Sequence, residues 1–334
     1  MQLSNTWKAT VGLMIGAILC LPAQAAAEKK IIMRHSSAAM VEEPHHTAAL
    51  DFKKYVEEKT KGRVEVQIYP ASQLGGEERA FQDVQQGVIQ IASLASNNAA
   101  VFAPSLYVID LPYLFRTNQE GWAILDKYWD ELNAKTIKES GNRIIGWLDL
   151  GYRHVCNSKR PIRTIEDLKG LKIRVPNNPI MIATFRAWGG EPAPMAWDET
   201  FNALQQKVVD GQENPYPVFA SNKFEEVQKY ITEIHYKVWI GPIVVNAAWF
   251  KKQPADVQKA ILEGGRLATE NNRKMIAEME TDLVKVLKEI LAKPEDEPVW
   301  QEKAMGVWPQ FYDKIGDISL LDTMMKSLGR TRPQ

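Results

Sequence analysis

Two cysteines, Cys20 and Cys156, are the only thiols in this chain of 334 residues. Removal of the segment around Cys20, argued below, leaves Cys156 alone, with no partner for an intramolecular disulfide. That excludes a small disulfide-stapled secreted domain. Net charge is missing as well: 41 basic residues balance 41 acidic ones, so nothing marks a nucleic-acid partner. Beyond the N-terminus no apolar run is long enough to cross a bilayer.

Catalytic signatures are absent too. The glycine pairs at Gly75, Gly189 and Gly264 fit neither the Walker pattern nor the dinucleotide fingerprint, and no G-x-S-x-G elbow occurs. His45 and His46 are adjacent, a spacing that turns two rings apart on a helix, and no H-E-x-x-H or C-x-x-C accompanies them. They read as surface or cap residues rather than metal ligands. Acidic neighbours such as Glu42-Glu43 and Glu77-Glu78 read as solvated faces. The expectation is a chain without cofactor or metal, and not an enzyme.

What is present begins with a targeting segment, residues 1–25. Lys8 supplies a positive charge, Ala9 to Ala23 is mostly apolar but short for a membrane span, and Ala23-Gln24-Ala25 is a small-residue cleavage pattern. Leu19, not a small residue, precedes Cys20, which argues against a lipid anchor. Export with cleavage near Ala25 to Ala27 and residence in a bacterial periplasm follow, with the mature chain not embedded in the membrane.

At 45% hydrophobic the remaining chain can bury a large core and is long enough for two lobes. KKIIMRHSS reads as a strand, Asp51 to Lys61 as a helix, RVEVQIYP as a second strand, and LGGEERAFQDVQQGVIQIA as a helix followed by a strand from Val88 to Ala92. Strand and helix in alternation predict a parallel sheet in an α/β domain. An internal echo suggests that the design occurs twice. DVQQGVIQIASLASN, from Asp83, and ALQQKVVDGQENPYP, from Ala203, share Gln-Gln, one residue and Val at a helix end, and strands RVEVQIYP and LKIRVPN precede them. From Ala255 to Ala292 helix formers are broken only by Gly264 and Gly265, which predicts a helix of about 55 Å that braces two domains. KPEDEP closes it as a charged turn, and Trp300 to Leu328 reads as two short helices.

Polar residues gather just after strands, where ligands of open α/β sheets bind. Arg174 ends the apolar stretch GLKIRVPNNP, and Arg153 follows RIIGWLDL. Asn214 follows VVD in one half of the echo, and Asn97 and Asn98 sit in the equivalent place in the other. Trp188, Trp197 and Trp239 are available as apolar walls.

Three stretches carry a family pattern: LYVIDLPYLF from Leu106, GLKIRVPNNP from Gly170, and GGEPAPMAWDETFNALQQKVVDGQENP from Gly189. They resemble the DctP-type solute-binding proteins of tripartite ATP-independent periplasmic (TRAP) transporters, and the likeness covers essentially the whole mature chain. It implies an α/β periplasmic binding protein of two lobes, joined by hinge strands and spanned by a long helix. Lobe I would comprise 28–150 with 239–275, and lobe II 151–238 with 276–334. It further implies that the lobes close around one organic acid, which is handed to an ion-driven TRAP membrane permease. The resemblance assigns Arg174 to the ligand carboxylate, Arg153 to a second cationic or polar contact, and Asn214 to a hydrogen bond. Trp197 stands where the family usually has phenylalanine, which reshapes one wall of the cleft.

The acid is read as a uronate-like sugar acid, gripped by Arg153 and Arg174, with Ser36, Ser37, Glu77, Asn97 and Asn98 near its hydroxyls. A C4-dicarboxylate would suit the two arginines equally, and Trp197, Trp239, Tyr216 and Phe115 would suit an aromatic acid. A periplasmic ligand sensor on the same scaffold would bind its ligand in the same way. His154 reads as a packed neighbour of Arg153 rather than a contact.

Overall fold

A computed structural model describes residues 30–287 and 290–334. The targeting segment read at residues 1–25 lies outside the described residues. The strands are β1 (Ile31–Ser37), β2 (Val64–Tyr69), β3 (Ile91–Ser93), β4 (Asn142–Asn157), β5 (Lys172–Val175), β6 (Glu191–Pro194), β7 (Gly211–Asn214), β8 (Tyr230–Asn246) and β9 (Leu291–Ala292). They form one sheet in the order β2-β1-β3-β8-β4-β7-β5-β6, with β9 on β8.

That order has a mirror in it. β1 pairs in parallel with β2 and β3, and β5 pairs in parallel with β6 and β7. Within the sheet, among the described residues, the two groups are joined through the long antiparallel strands β4 and β8, of 16 and 17 residues. β3 lies on β8 at Ile243 to Val245, whereas β7 lies on β4 at His154 to Asn157, so each group hangs from a different end of the pair. Between those ends the β4–β8 register slips, from Asp149 to Tyr152 and again from Arg153 to Val155. Gly151 sits inside the first slip with φ 86°, a left-handed conformation that glycine adopts at little cost. This is the two-lobed α/β architecture expected, with a crossover made of two strands.

Two local expectations change in the first lobe. The first helix runs from Pro44 to Lys59, not from Asp51, because Pro44 opens it at a position where the missing N–H costs nothing. The strand expected at Val88 begins at Ile91. Residues 86–90 instead stop the preceding helix, Glu77–Gln85: Gly87 takes φ 74°, and Val88 N–H donates to Asp83 O at 2.8 Å. The second half of the echo repeats this turn. Lys207 takes φ 59° after the Trp197–Gln205 helix, and Val208 N–H donates to Ala203 O, also at 2.8 Å.

The long helix spans Ala255–Leu287, 33 residues, or about 50 Å at 1.5 Å per residue. Gly264 and Gly265 do not interrupt it. A Cβ on Gly265 would stand 2.0 Å from Ile145 O of β4, and one on Gly264 2.9 Å from Val56 Cγ2, so the pair lets the helix cross both elements closely. Its apolar stripe joins one cluster that includes Phe52 and Val56 beside β1 and Phe219 and Phe224 after β7. After it come three helices, not two: Glu297–Met305, Tyr312–Ile315 and Ile318–Ser327, with a 3-10 turn at Trp308–Phe311. Trp300 packs with Trp188, but Leu321 and Met324 pack with Leu106 and Leu114. The far end of the tail, expected with the second lobe, therefore packs on elements of the first, because the Ile318–Ser327 helix turns its apolar side to them.

Candidate functional site

The echo places two like structures face to face. The helices Glu77–Gln85 and Trp197–Gln205 each start just before a strand of their own group, β3 and β7. A Cβ on Gly76 would meet Asp198 Oδ1 at 3.2 Å, so the two helix starts meet across the cleft. The strand registers correspond as well: Ser36 stands opposite Ala92, and Arg174 opposite Gln212. The equivalent strand position is thus a small hydroxyl in one lobe and a guanidinium in the other.

A cavity with about 410 Å³ of atom-free space, counting its mouth, lies between these ends. Arg174, Arg153, Asn214, Trp197, Glu77, Asn97 and Trp239 all line it. Ser37 does not; its Oγ accepts from Ala39 N–H at 3.1 Å and its carbonyl from Ser72 N–H at 3.0 Å, so it holds the turn that brings Ala38 and Ala39 to the wall. Tyr216 is turned to Glu233, and Phe115 is packed in the core with Leu111 and Leu114. His154 lies between Tyr216 and His235, with ring centroids 4.4 Å and 4.7 Å away, and does not reach the cavity.

The two arginines differ in kind. Arg153 donates through Nη2 to Glu213 Oε1 at 2.7 Å and through Nε to Glu213 Oε2, and Tyr236 Oη donates to the same carboxylate at 2.6 Å. Burial alone would lower the pKa of Arg153; the Glu213 charge and hydrogen bonds together outweigh it and raise it. Arg174 is also buried, 2% exposed, but among the described residues no carboxylate lies within ion-pair distance of it. Its Nε and Nη2 donate to Met195 O at 3.1 and 2.7 Å, and its guanidinium lies 5.6 Å from the ring centre of Trp197. Burial lowers its pKa to about 10, opposed by the charge of Glu213. A buried guanidinium held by a carbonyl and an aromatic face keeps a charge to be met by an anion.

Around these charges the polar groups are tied down. Glu77 accepts from Ala95 N–H at 2.8 Å and from Asn98 Nδ2; burial raises its pKa against those bonds and against Arg174. Asn97 Nδ2 donates to Asn98 Oδ1 at 2.9 Å, and Asn214 Nδ2 to Gln212 Oε1 at 2.6 Å. Asp110 of the LYVIDLPYLF stretch, outside the lining, accepts from Ser96 Oγ at 2.6 Å, Lys237 Nζ at 2.5 Å and Asn178 Nδ2 at 3.1 Å. Asn178 also donates to Asn97 O at 3.1 Å and caps the Pro179–Ala187 helix, so it ties the two lobes together.

Sequence reasoning missed Glu213, Asp110, Glu43 and His45. His45 is a correction: it is neither a surface residue nor a side-chain cap but is 7% exposed and lines the cavity. It is buried because Trp239, on β8, covers one face of its ring at 4.5 Å. Glu43, also on the lining, is buried under Ser221 and Asn222 rather than solvated. Among the described residues no group of His, Cys, Asp and Glu is arranged to hold a metal, and no helix is long and apolar enough to cross a membrane.

Known proteins resemble this chain in sequence and fold. The 2,3-diketo-L-gulonate-binding periplasmic protein YiaO of Escherichia coli is 34% identical over 245 residues, 73% of this chain and 74% of that one. A crystal structure of a TRAP periplasmic solute binding protein from Rhodobacter sphaeroides, apo and open, is 40% identical, covers 90% of this chain and 99% of its own, and has a TM-score of 0.75. The sugar acid binding protein DctPAm of Advenella mimigardefordensis, in complex with galactonate, is 27% identical with the same coverage and a TM-score of 0.85. The family model DctP, bacterial extracellular solute-binding protein, family 7, matches residues 35–315. With the fold, the paired helix starts and the enclosed guanidinium in place, the chain belongs to that family of extracellular solute-binding proteins.

Proposed function

We propose that the protein is a periplasmic receptor that closes two lobes on one small organic acid, the ligand carboxylate resting on Arg174. Lobe I is assigned 28–150 with 239–275, and lobe II 151–238 with 276–334, the last helix of which reaches back onto lobe I, with the crossover assigned to the register slip between Asp149 and Tyr152. The single observation that carries the reading is the buried Arg174, which faces the cavity with no carboxylate in ion-pair reach among the described residues. A guanidinium fork matches a carboxylate in two parallel hydrogen bonds, and exclusion of water on closure strengthens the pair. The anion thereby favours the closed state.

The ligand is a uronate-like sugar acid. Arg153 is already neutralised by Glu213, so the cavity offers one unpaired guanidinium where a C4-dicarboxylate would need two. The remaining polar groups, Glu77, Asn97, Asn98 and Asn214, suit hydroxyls, while Trp197 and Trp239 give apolar walls. The higher TM-score to the galactonate complex than to the open apo relative supports a closed form. Delivery to a TRAP permease, the receptor role rather than catalysis, and export with removal of the N-terminal segment complete the reading.

The test is a thermal-shift screen of organic acids followed by calorimetric titration, since a ligand that binds only the native state raises its melting temperature. A sugar acid should raise it by several degrees. No shift with any acid would sink the reading.

A further inference from the structure

Neither ring nitrogen of His45 has a hydrogen-bond partner among the described residues, although the ring is buried and borders the cavity. Buried polar atoms are nearly always paired, so this ring is set for a partner from outside. Its orientation is fixed from two sides. Trp239 covers one face, tilted 58°, and Glu43 Oε2 lies 3.4 Å from Nδ1. Glu43 is itself clamped, Oε1 accepting from Met40 N–H at 3.1 Å, Ser221 Oγ at 3.0 Å and Asn222 Nδ2 at 3.0 Å. Ser221 and Asn222 end the Tyr216–Ser221 helix that follows β7, so the clamp joins the two lobes. Nδ1 stands beside a Glu43 oxygen, so Nε2 is the nitrogen left for a group from outside, and with the proton on Nδ1 it would be an acceptor. Burial holds the imidazole neutral, its pKa lowered to about 3.

The position within the cavity matters as well. Arg174, Trp197, Glu77 and Asn98 also border an adjoining recess with about 720 Å³ of atom-free space, whereas His45 and Glu43 do not. The imidazole is therefore away from the side shared with that recess. A second carboxylate there would face a nitrogen lone pair, which is repulsive to it. A hydroxyl would find an acceptor.

We propose that His45 is a specificity-determining residue whose Nε2 accepts a hydrogen bond from a ligand hydroxyl remote from the carboxylate held by Arg174, which favours polyhydroxylated acids over acids bare at that end. The inference rests on the receptor reading above and narrows it.

The test compares wild type, His45→Phe and His45→Gln by calorimetric titration with D-galacturonate, D-glucuronate, D-galactonate and succinate. Phenylalanine keeps a ring against Trp239 and removes both nitrogens; glutamine restores an acceptor. The expected result is a tenfold or greater loss of affinity in His45→Phe for the tightest sugar acid, partial recovery in His45→Gln, and no more than a twofold change for succinate. Sugar-acid affinity within twofold of wild type in His45→Phe overturns the inference and leaves the receptor reading standing. An equal loss for succinate, or tighter wild-type binding of succinate than of every sugar acid, overturns it too. Where succinate is too weak to titrate, failure of His45→Gln to recover any affinity does so. If no acid binds wild type, the receptor reading itself fails. Unliganded melting curves of the variants confirm folding.

Discussion

Arg153 and Glu213 form a bidentate ion pair, 2% and 0% exposed, at the point where β4 meets β7. The pair sets apart two arginines that line one cavity: the charge of Arg153 is already met, whereas Arg174 has no carboxylate in ion-pair reach among the described residues.

The first prediction concerns this pair. Removing one member of a buried pair leaves the other charge unmet, which costs about 3–5 kcal/mol. Glu213→Gln should therefore lower unfolding free energy by roughly that amount in denaturant titrations without ligand. A loss below about 1 kcal/mol would mean that water or rearrangement meets the Arg153 charge.

The repeated helix stop gives a second. Lys207 pays for a left-handed backbone, φ 59°, that Gly87 adopts freely in the matching turn. Lys207→Gly should stabilise by roughly 0.5–1 kcal/mol, and Gly87→Ala should destabilise by about as much. A Cβ on Gly87 meets nothing within 4 Å, so that loss would be conformational rather than steric. Equal melting temperatures for Lys207→Gly, Gly87→Ala and wild type would contradict this reading of the echo.

The third is a pH dependence. Burial lowers the pKa of His45, and likewise of His35, from 6.5 to about 3. The unfolded chain therefore takes up those protons first, and stability present above pH 6.5 is lost as pH falls toward 3. Glu43 acts in the opposite sense. Burial raises its pKa from 4.5 to about 7, so its neutral form adds stability below pH 4.5 that is lost as pH rises through 7. Urea unfolding across this range should show His45→Phe gaining on wild type as pH falls, and Glu43→Gln gaining as it rises. Curves parallel to wild type would contradict both assignments.

Much of the site was legible because its signals are local. An arginine that ends an apolar strand, asparagines after strands and a repeated Gln-Gln-x-Val can be read without a fold. Glu213 was not legible, since it meets Arg153 only through the β4–β7 register, 60 residues away. His45 was not legible either: beside His46 and after acidic residues it reads as a polar helix start, and its burial comes from Trp239 on a distant strand. Val88 misled for a related reason. It looks like a strand residue, but it lies in a helix stop and is 47% exposed, as Val208 is at 48% in the second copy. The long helix was legible through Gly264 and Gly265, but the reason for the glycines was not, because the sequence does not show the carbonyl of Ile145 that the helix must pass.

The central claim is that Arg174 meets the ligand carboxylate, and calorimetric titration of Arg174→Lys against wild type with a sugar acid tests it most directly. Lysine keeps the charge but loses the planar fork, which can grip Met195 O, as it does here, and still present donors to a carboxylate. The account predicts a tenfold or greater loss of affinity, about 1.4 kcal/mol or more, with the variant still folded. Unchanged affinity in the folded variant would contradict it.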